Sequence, residues 1–547
     1  MLKITGMKKY KIYIPIFLAL MIMSSCLKDL DITPIDPAVS TSSDLFKDQA
    51  AYKQALAKLY ATYAVSGQKG SGGGDPDIEG IDENFGNYLR QYFGLQELST
   101  DEAIIAWDDA TIKNFHWQTW SPNDVFVTAL YSRIFYTITL CNEFIRATNS
   151  GIGSATGTML TDLKTFNAEA RFLRAYSYWH AIDMFGNVPF VTEADLPGAF
   201  SPARIERAEL FDYIESELID LAALLPEPLT NEYGRVDRVA AWMLLAKLYL
   251  NAEVYTGQER NTDALTYIND VIGSGYTIDP DYQHIFSADN NESPEIIFPI
   301  CFDGQNTQQY GGMTFILHAS NGGGMPLNGI DGGWGGIRTI NNFVTLFGLQ
   351  ESDFSTANPQ GTNITDKRGM FYFNPETWEW NISNVGTFTQ GIGVLKYKNV
   401  TANGDPAPNA HPAFVSTDFP VFRLSDAYLM YAEAVVRGGT GGDIGTAVDY
   451  INELRFRAYG DNSGDIDAGD LTLDFILDER GRELYWECQR RTDLIRFGKF
   501  TGGAYLWEWK GNVQAGTATE AYRDLYPIPA NDLVANPNLK QNDGYTN

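Results

Sequence analysis

The stretch ILDERGRELYWECQRRTDLIRFGK, Ile476–Lys499, decides the fold. Its acids lead (Asp478, Glu479, Glu483) and its bases trail (Arg490, Arg491, Arg496), the order that suits a helix dipole. Leu477, Gly481, Leu484 and Cys488 fall on one apolar stripe, and the periodicity predicts a single helix over 473–496. The charges do not settle among themselves. Arg480 and Glu483 attract at helical spacing, whereas Glu479 and Glu483 repel. They must therefore reach other elements, which makes Arg480, Glu483 and Arg491 fold determinants rather than ligand contacts. Arg171 and Arg174 are read the same way.

Outward from this segment, helical periodicity recurs over 126–148, 163–185, 207–225, 237–255, 262–272, 425–436 and 444–459. The stretch over 163–185 stops at Gly186-Asn187, a C-terminal cap before the extended VPFVTE. Two neighbouring pairs, AAWMLLAKLYLNAEVYTG with ALTYINDVIGSG and DAYLMYAEAVVRGG with IGTAVDYINELRFRA, have the form of tetratricopeptide-like units. Small residues at the crossings (Ala246, Ala252, Ala432, Ala434) let such helices approach closely and bury a continuous core. Between about 287 and 420 Gly, Asn, Thr and Trp rise and short β-prone runs replace the helices. The fold class is therefore mostly α: a tetratricopeptide-like helical repeat platform (about 46–286 and 421–547) with a loop-rich, short-strand insertion (about 287–420), and long loops of this kind carry function.

The N-terminus has another character. Lys8, Lys9 and Lys11 precede an apolar run that ends in FLALMIMSSC, too short for a bilayer-spanning helix. Met23-Ser24-Ser25-Cys26 resembles a bacterial lipobox, so residues 1–25 read as a lipoprotein signal peptide, with Met7 a second candidate start, and Cys26 as the lipidation site. Two or three acyl chains on that residue hold where one would not. Residues 26–547 then form a single domain behind a polar tether.

The full chain has 547 residues and a net charge of −29; the four lysines of residues 1–25 are that segment's only charges, so its removal leaves −33. That balance argues against nucleic acid as a partner. The cysteines beyond Cys26 (Cys141, Cys301, Cys488) match no zinc spacing and no disulfide framework, and read as buried free thiols. Phosphate-loop, zinc-protease and nucleophile-elbow motifs are missing, and DNSGDIDAGD at 461–470 departs from a calcium loop in its glycine position and in lacking the terminal Glu. No catalytic residue, metal ligand or cofactor is assigned.

Taken in order, CLKDLDITPIDP, LQELSTDEAIIAWDD, AEARFLRAYSYWHAIDMFGNVPFVTE, GRVDRVAAWMLLAKLYL, DFPVFRLSDAYLMYAEAVV, YINELRFRA, the opening stretch and LYPIPANDLVANPNLKQNDGY resemble the SusD/RagB family of outer-membrane lipoproteins of the Bacteroidetes along nearly the whole chain. The resemblance implies binding without catalysis: a lipid-anchored, surface-exposed lid on the outer membrane that captures oligosaccharides and passes them to a SusC-like TonB-dependent transporter. A peptide-binding lid of the same family, and a surface glycoside hydrolase on a helical frame, stand as alternatives.

A sugar offers C–H faces and hydroxyls, so its site needs flat aromatic platforms edged by polar groups. Loop aromatics beside such groups are the candidates: Trp107 with Asp108 and Asp109, Tyr310 after GQNTQQ, Trp334 in GGWGG with Arg338 close by, and Trp378 and Trp380 in PETWEWN. In the family, contacts come from loops after the first helix and from the central insertion, which adds weight to Trp107 and Trp334 and brings in Asp77. Trp179, Trp242 and Trp486, at helical positions, are expected in the core.

Overall fold

A computed structural model describes residues 46–547 apart from 71–74, 196–197, 199, 363 and 547; the predicted signal segment and Cys26 lie outside the described residues. The chain divides into two units, Met1–Gln54 and Ala55–Asn547. The described part of the first opens helix α1 (Gln49–Ala64).

In the second unit the helices α2 (Tyr88–Glu97), α3 (Val125–Ile152), α4 (Gly157–Met184), α5 (Arg207–Leu224), α6 (Arg238–Leu250) and α7 (Asn261–Ile272) precede the loop-rich part, which holds α8 (Gly312–Ser320). After it come α9 (Leu424–Val436), α10 (Ile444–Tyr459), α11 (Leu473–Leu484) and α12 (Arg490–Arg496). Local chemistry sets the ends. The Asp124 carboxylate accepts from the N–H of Phe126 and Val127 to start α3, and Asp237 does the same for Val239 in α6. Gly186, at φ 71°, stops α4 where a side chain would strain the backbone.

The two repeat-like pairs form, α6 on α7 and α9 on α10. Helix α7 also packs on α9, so the pairs continue one stack although the loop-rich part separates them in sequence. The small residues Ala246, Ala252, Ala432 and Ala434 are fully buried at these contacts. Helix α6 ends earlier than the periodicity predicts, at Leu250, and a separate turn, Ala252–Thr256, follows it.

Among the described residues eight short strands pair in antiparallel twos: β1 (Ile104–Ile105) with β5 (Ile337–Arg338), β2 (Val188–Pro189) with β3 (Arg204–Ile205), β4 (Ile296–Ile300) with β8 (Phe419–Arg423), and β6 (Phe371–Tyr372) with β7 (Gly393–Val394). The β4–β8 pair is buried along its length and closes the neck of the loop-rich part. The β1–β5 pair ties that part to the loop after α2.

The opening stretch is two helices, not one. Between α11 and α12, Trp486 (φ 61°) and Cys488 (φ 60°) take left-handed backbone, costly for such residues. Tertiary hydrogen bonds hold Trp486 there: it donates its N–H to the Glu102 carboxylate (2.8 Å) and its indole N–H to the Glu102 carbonyl (3.0 Å), and the Tyr397 hydroxyl donates to the Trp486 carbonyl. Cys488 therefore leaves the predicted stripe, although it stays buried.

The charges of α11 do reach other elements. Glu483 accepts from Arg423 (2.7 Å), Arg368 (3.0 Å) and Arg457; Glu479 accepts from Arg368, Arg455 and Arg482; Arg423 also donates to Glu295 and Glu487, and Lys396 to Glu487. Asp366 pairs with Arg368 at 2.7 Å. Five carboxylates thus face six cations in a buried cluster. That near-balance is what makes burying so many charges tolerable. Burial alone would raise Glu479, yet Arg368, Arg482 and Arg455 hold it down to about 2. A second cluster joins Arg480 to Asp426 and Asp493, while Arg491 pairs with Asp183 and Arg171 and Arg174 share Glu217. Of the free cysteines, Cys141 and Cys488 are buried as expected, whereas Cys301 is exposed.

Candidate functional site

The loop after α8 builds the site. A helix leaves its last carbonyls without partners; here the His318 carbonyl accepts the N–H groups of Trp334 (2.7 Å) and Gly335 (3.1 Å), and the Asn321 carbonyl that of Gly335. The glycines permit the fit. A Cβ on Gly333 would lie 1.8 Å from the Asn321 oxygen, and one on Gly336 2.3 Å from the Trp107 indole nitrogen. The Trp107 indole N–H in turn donates to the Gly335 carbonyl at 2.9 Å.

Three rings predicted from the sequence come together. Trp334 lies 6.3 Å from Trp107, tilted by 43°, and 6.1 Å from Tyr310, tilted by 52°. Trp334 keeps 38 % and Tyr310 36 % of its surface exposed, and Trp107 is half-buried. Behind them, His318 stacks on Trp334 at 4.7 Å, Phe414 backs Tyr310 at 5.2 Å, and Phe315 meets Trp107 edge-on. The Arg90 guanidinium sits 4.2 Å from the Phe315 ring centre; burial lowers its pKa to about 10, so it stays charged. Burial also lowers the His318 pKa, against the pull of the Gly332 and Ala413 carbonyls on its two ring nitrogens. Beside Tyr310, the Gln309 amide fixes the loop, accepting from the Ser66 N–H and hydroxyl and donating to Glu83.

Asp108 stands at the rim with its side chain 88 % exposed, paired with Lys113. Phe388, Arg90 and His318 were not singled out by the sequence; VGTFTQG around Phe388 carries no polar-aromatic signature.

Four candidate ligand residues are engaged within the fold instead. Arg338 is buried and donates to the carbonyls of Gln390 (2.7 Å), Gly336 (2.9 Å) and Val385 (3.1 Å), so that it clamps two loops. Trp378 is buried against Tyr372, its indole N–H on the Gly323 carbonyl at 2.8 Å, and so supports the loop after α8 from below. The Asp77 side chain is buried between Lys58 (2.8 Å) and Arg133 (3.4 Å), pinning the loop after α1. Each uses the same groups a ligand would, spent on the fold instead. Trp380 is half-buried against Phe354 and Phe373.

What remains is a group of three mutually tilted rings, two of them exposed, with the Asp108 carboxylate at the rim, suited to a molecule with apolar faces and many hydroxyls.

A family model described as "SusD family" matches residues 294–545, and one described as "Starch-binding associating with outer membrane" matches 84–250. The chain is 36 % identical to the starch-binding protein SusD of Bacteroides thetaiotaomicron, over 96 % of each chain, and 27 % identical to SusD-like protein P25 of Formosa agariphila, over 70 % of this chain and 72 % of that one. Among solved structures it superposes on a SusD homolog from Bacteroides thetaiotaomicron (TM-score 0.69, 21 % identity, 92 % of this chain and 98 % of that one). It also superposes on surface glycan-binding protein A of the same organism in complex with laminarihexaose (TM-score 0.64, 20 % identity, 90 % and 99 %). The chain belongs to the SusD family, and its mostly helical fold is that of the family.

Proposed function

We propose that this protein binds starch-type α-glucan chains on the Tyr310–Trp334–Trp107 arc and cleaves nothing. The observation that carries the reading is the successive tilt of the rings, 52° and then 43°. A chain that curves along its length can lay consecutive sugar faces on rings inclined in this way, whereas a flat β-linked ribbon calls for coplanar ones. The relative that shares 36 % of residues over nearly the whole chain is a starch-binding protein, which supports the same ligand class. A hydrolase would need a protonated carboxyl held against the glycosidic oxygen; Asp108 at this rim is solvated and paired with Lys113. In this reading Cys26 carries the lipid that anchors the protein on the outer-membrane surface, and a SusC-like TonB-dependent transporter receives the captured oligosaccharide.

Titration calorimetry of the soluble protein with maltoheptaose and cellohexaose tests this, with chromatography of the sugar afterwards. Binding of the α-linked chain alone, recovered intact, is expected. Equal binding of cellohexaose, or shortened products, would overturn it.

A further inference from the structure

We propose that Phe388 is a fourth ring of this platform, forming with Trp107, Asp108 and Asp109 an end subsite for one more glucose unit of the same chain. The proposal rests on the α-glucan reading above. Phe388 is 44 % exposed on a loop of the insertion far from Trp107 in sequence. The fold brings the two to one shallow, open depression of the surface, lined by Ala106, Trp107, Asp108, Asp109, Gly386 and Phe388. The ring edge of Phe388 is 3.4 Å from where a Cβ on Gly335 would stand, so the hollow adjoins the Trp334 turn.

The loop that presents Phe388 is held rather than loose. Gln390 accepts from the N–H of Ser383 (3.0 Å) and Asn384 (2.7 Å) through its side-chain oxygen. Buried Arg338 joins the carbonyls of Val385 and Gln390, on either side of Phe388, to that of Gly336, beside Trp107. The guanidinium therefore sets the distance between the fourth ring and the other three, which makes Arg338 a positioning residue. Asp108 and Asp109 supply acceptors for hydroxyls, and the Lys113 ammonium that pairs with Asp108 lies 3.6 Å from the Cβ position of Gly386, closing the rim. An exposed ring facing carboxylates across a hollow repeats the chemistry of the arc one step further along.

The test is calorimetry of wild type, Phe388→Ala and Phe388→Tyr with maltotriose and with maltoheptaose, each variant first checked for an unchanged thermal melt. Maltotriose spans the three-ring arc and should bind Phe388→Ala within about twofold of wild type. Maltoheptaose should bind it about five- to tenfold more weakly, and Phe388→Tyr should restore the difference. Unchanged maltoheptaose affinity in Phe388→Ala, or an equal loss for both sugars, overturns the end subsite. Failure of wild type to bind either sugar overturns instead the α-glucan reading on which it rests.

Discussion

Replacing Trp334 by alanine removes the central ring of the arc. Its side chain is 38 % exposed. On a tryptophan of roughly 250 Å² that leaves about 95 Å² facing solvent. A sugar face covering two thirds of this area takes about 60 Å² out of water, about 1.5 kcal/mol at ~25 cal/mol per Å². The matching apolar face of the sugar can double this to about 3 kcal/mol. Trp334→Ala should therefore weaken maltoheptaose binding roughly 10- to 100-fold. The cost to folding is smaller, at most about 1–2 kcal/mol, because the ring stacks on His318 at the surface and fills no interior space. Calorimetry gives the affinity and a thermal melt gives the stability. Affinity kept within twofold in a folded variant would refute the argument, and so would a collapse of the melt, which would make Trp334 a core residue.

Glu483→Gln leaves Arg423, Arg368 and Arg457 buried around a neutral amide and should cost about 3–5 kcal/mol in denaturant unfolding; a loss under 1 kcal/mol would show that the cluster does not depend on this carboxylate. Burial pushes the Glu97 carboxyl up to about 7. A raised carboxyl favours the folded state fully below about pH 4.5 and loses that contribution as the pH rises through 7. Glu97→Gln should flatten the fall in melting temperature between pH 5 and pH 8, and parallel curves for the two proteins would count against it. Cys26→Ala should move the protein from the membrane to the soluble fraction of expressing cells; a variant that still sediments with membranes after a high-salt wash would remove the anchor.

The helices were legible because their signal is local. Ile444–Tyr459 follows from apolar periodicity alone, and Gly186 announces the end of α4. The break after Leu484 was not legible, because Trp486 is held in left-handed backbone by Glu102 and Tyr397, remote in sequence. The candidate site divides in the same way. Trp107, Trp334 and Tyr310 stood out as loop aromatics beside glycines and polar residues, and the fold gathers them. Trp378 and Arg338 carried the same signal, but carbonyls of Gly323, Gly336, Val385 and Gln390 claim their N–H groups, a matter of tertiary partners that residue type does not encode. Phe388 gave no signal at all, since only the folded chain sets it beside Trp107.

The β4–β8 neck bears on how ligand preference can be changed. The chain leaves and rejoins the helical frame at adjacent points, so the segment between could be exchanged for a relative's as a single cassette. Two conditions limit such a graft. The incoming piece must supply cations where Arg368 and Lys396 stand, or Glu479, Glu483 and Glu487 are left in the interior without enough counter-charge. It must also present a face that accepts Trp107, which belongs to the recipient. A chimera would thus inherit most of its selectivity from the donor while one of the three rings stays native.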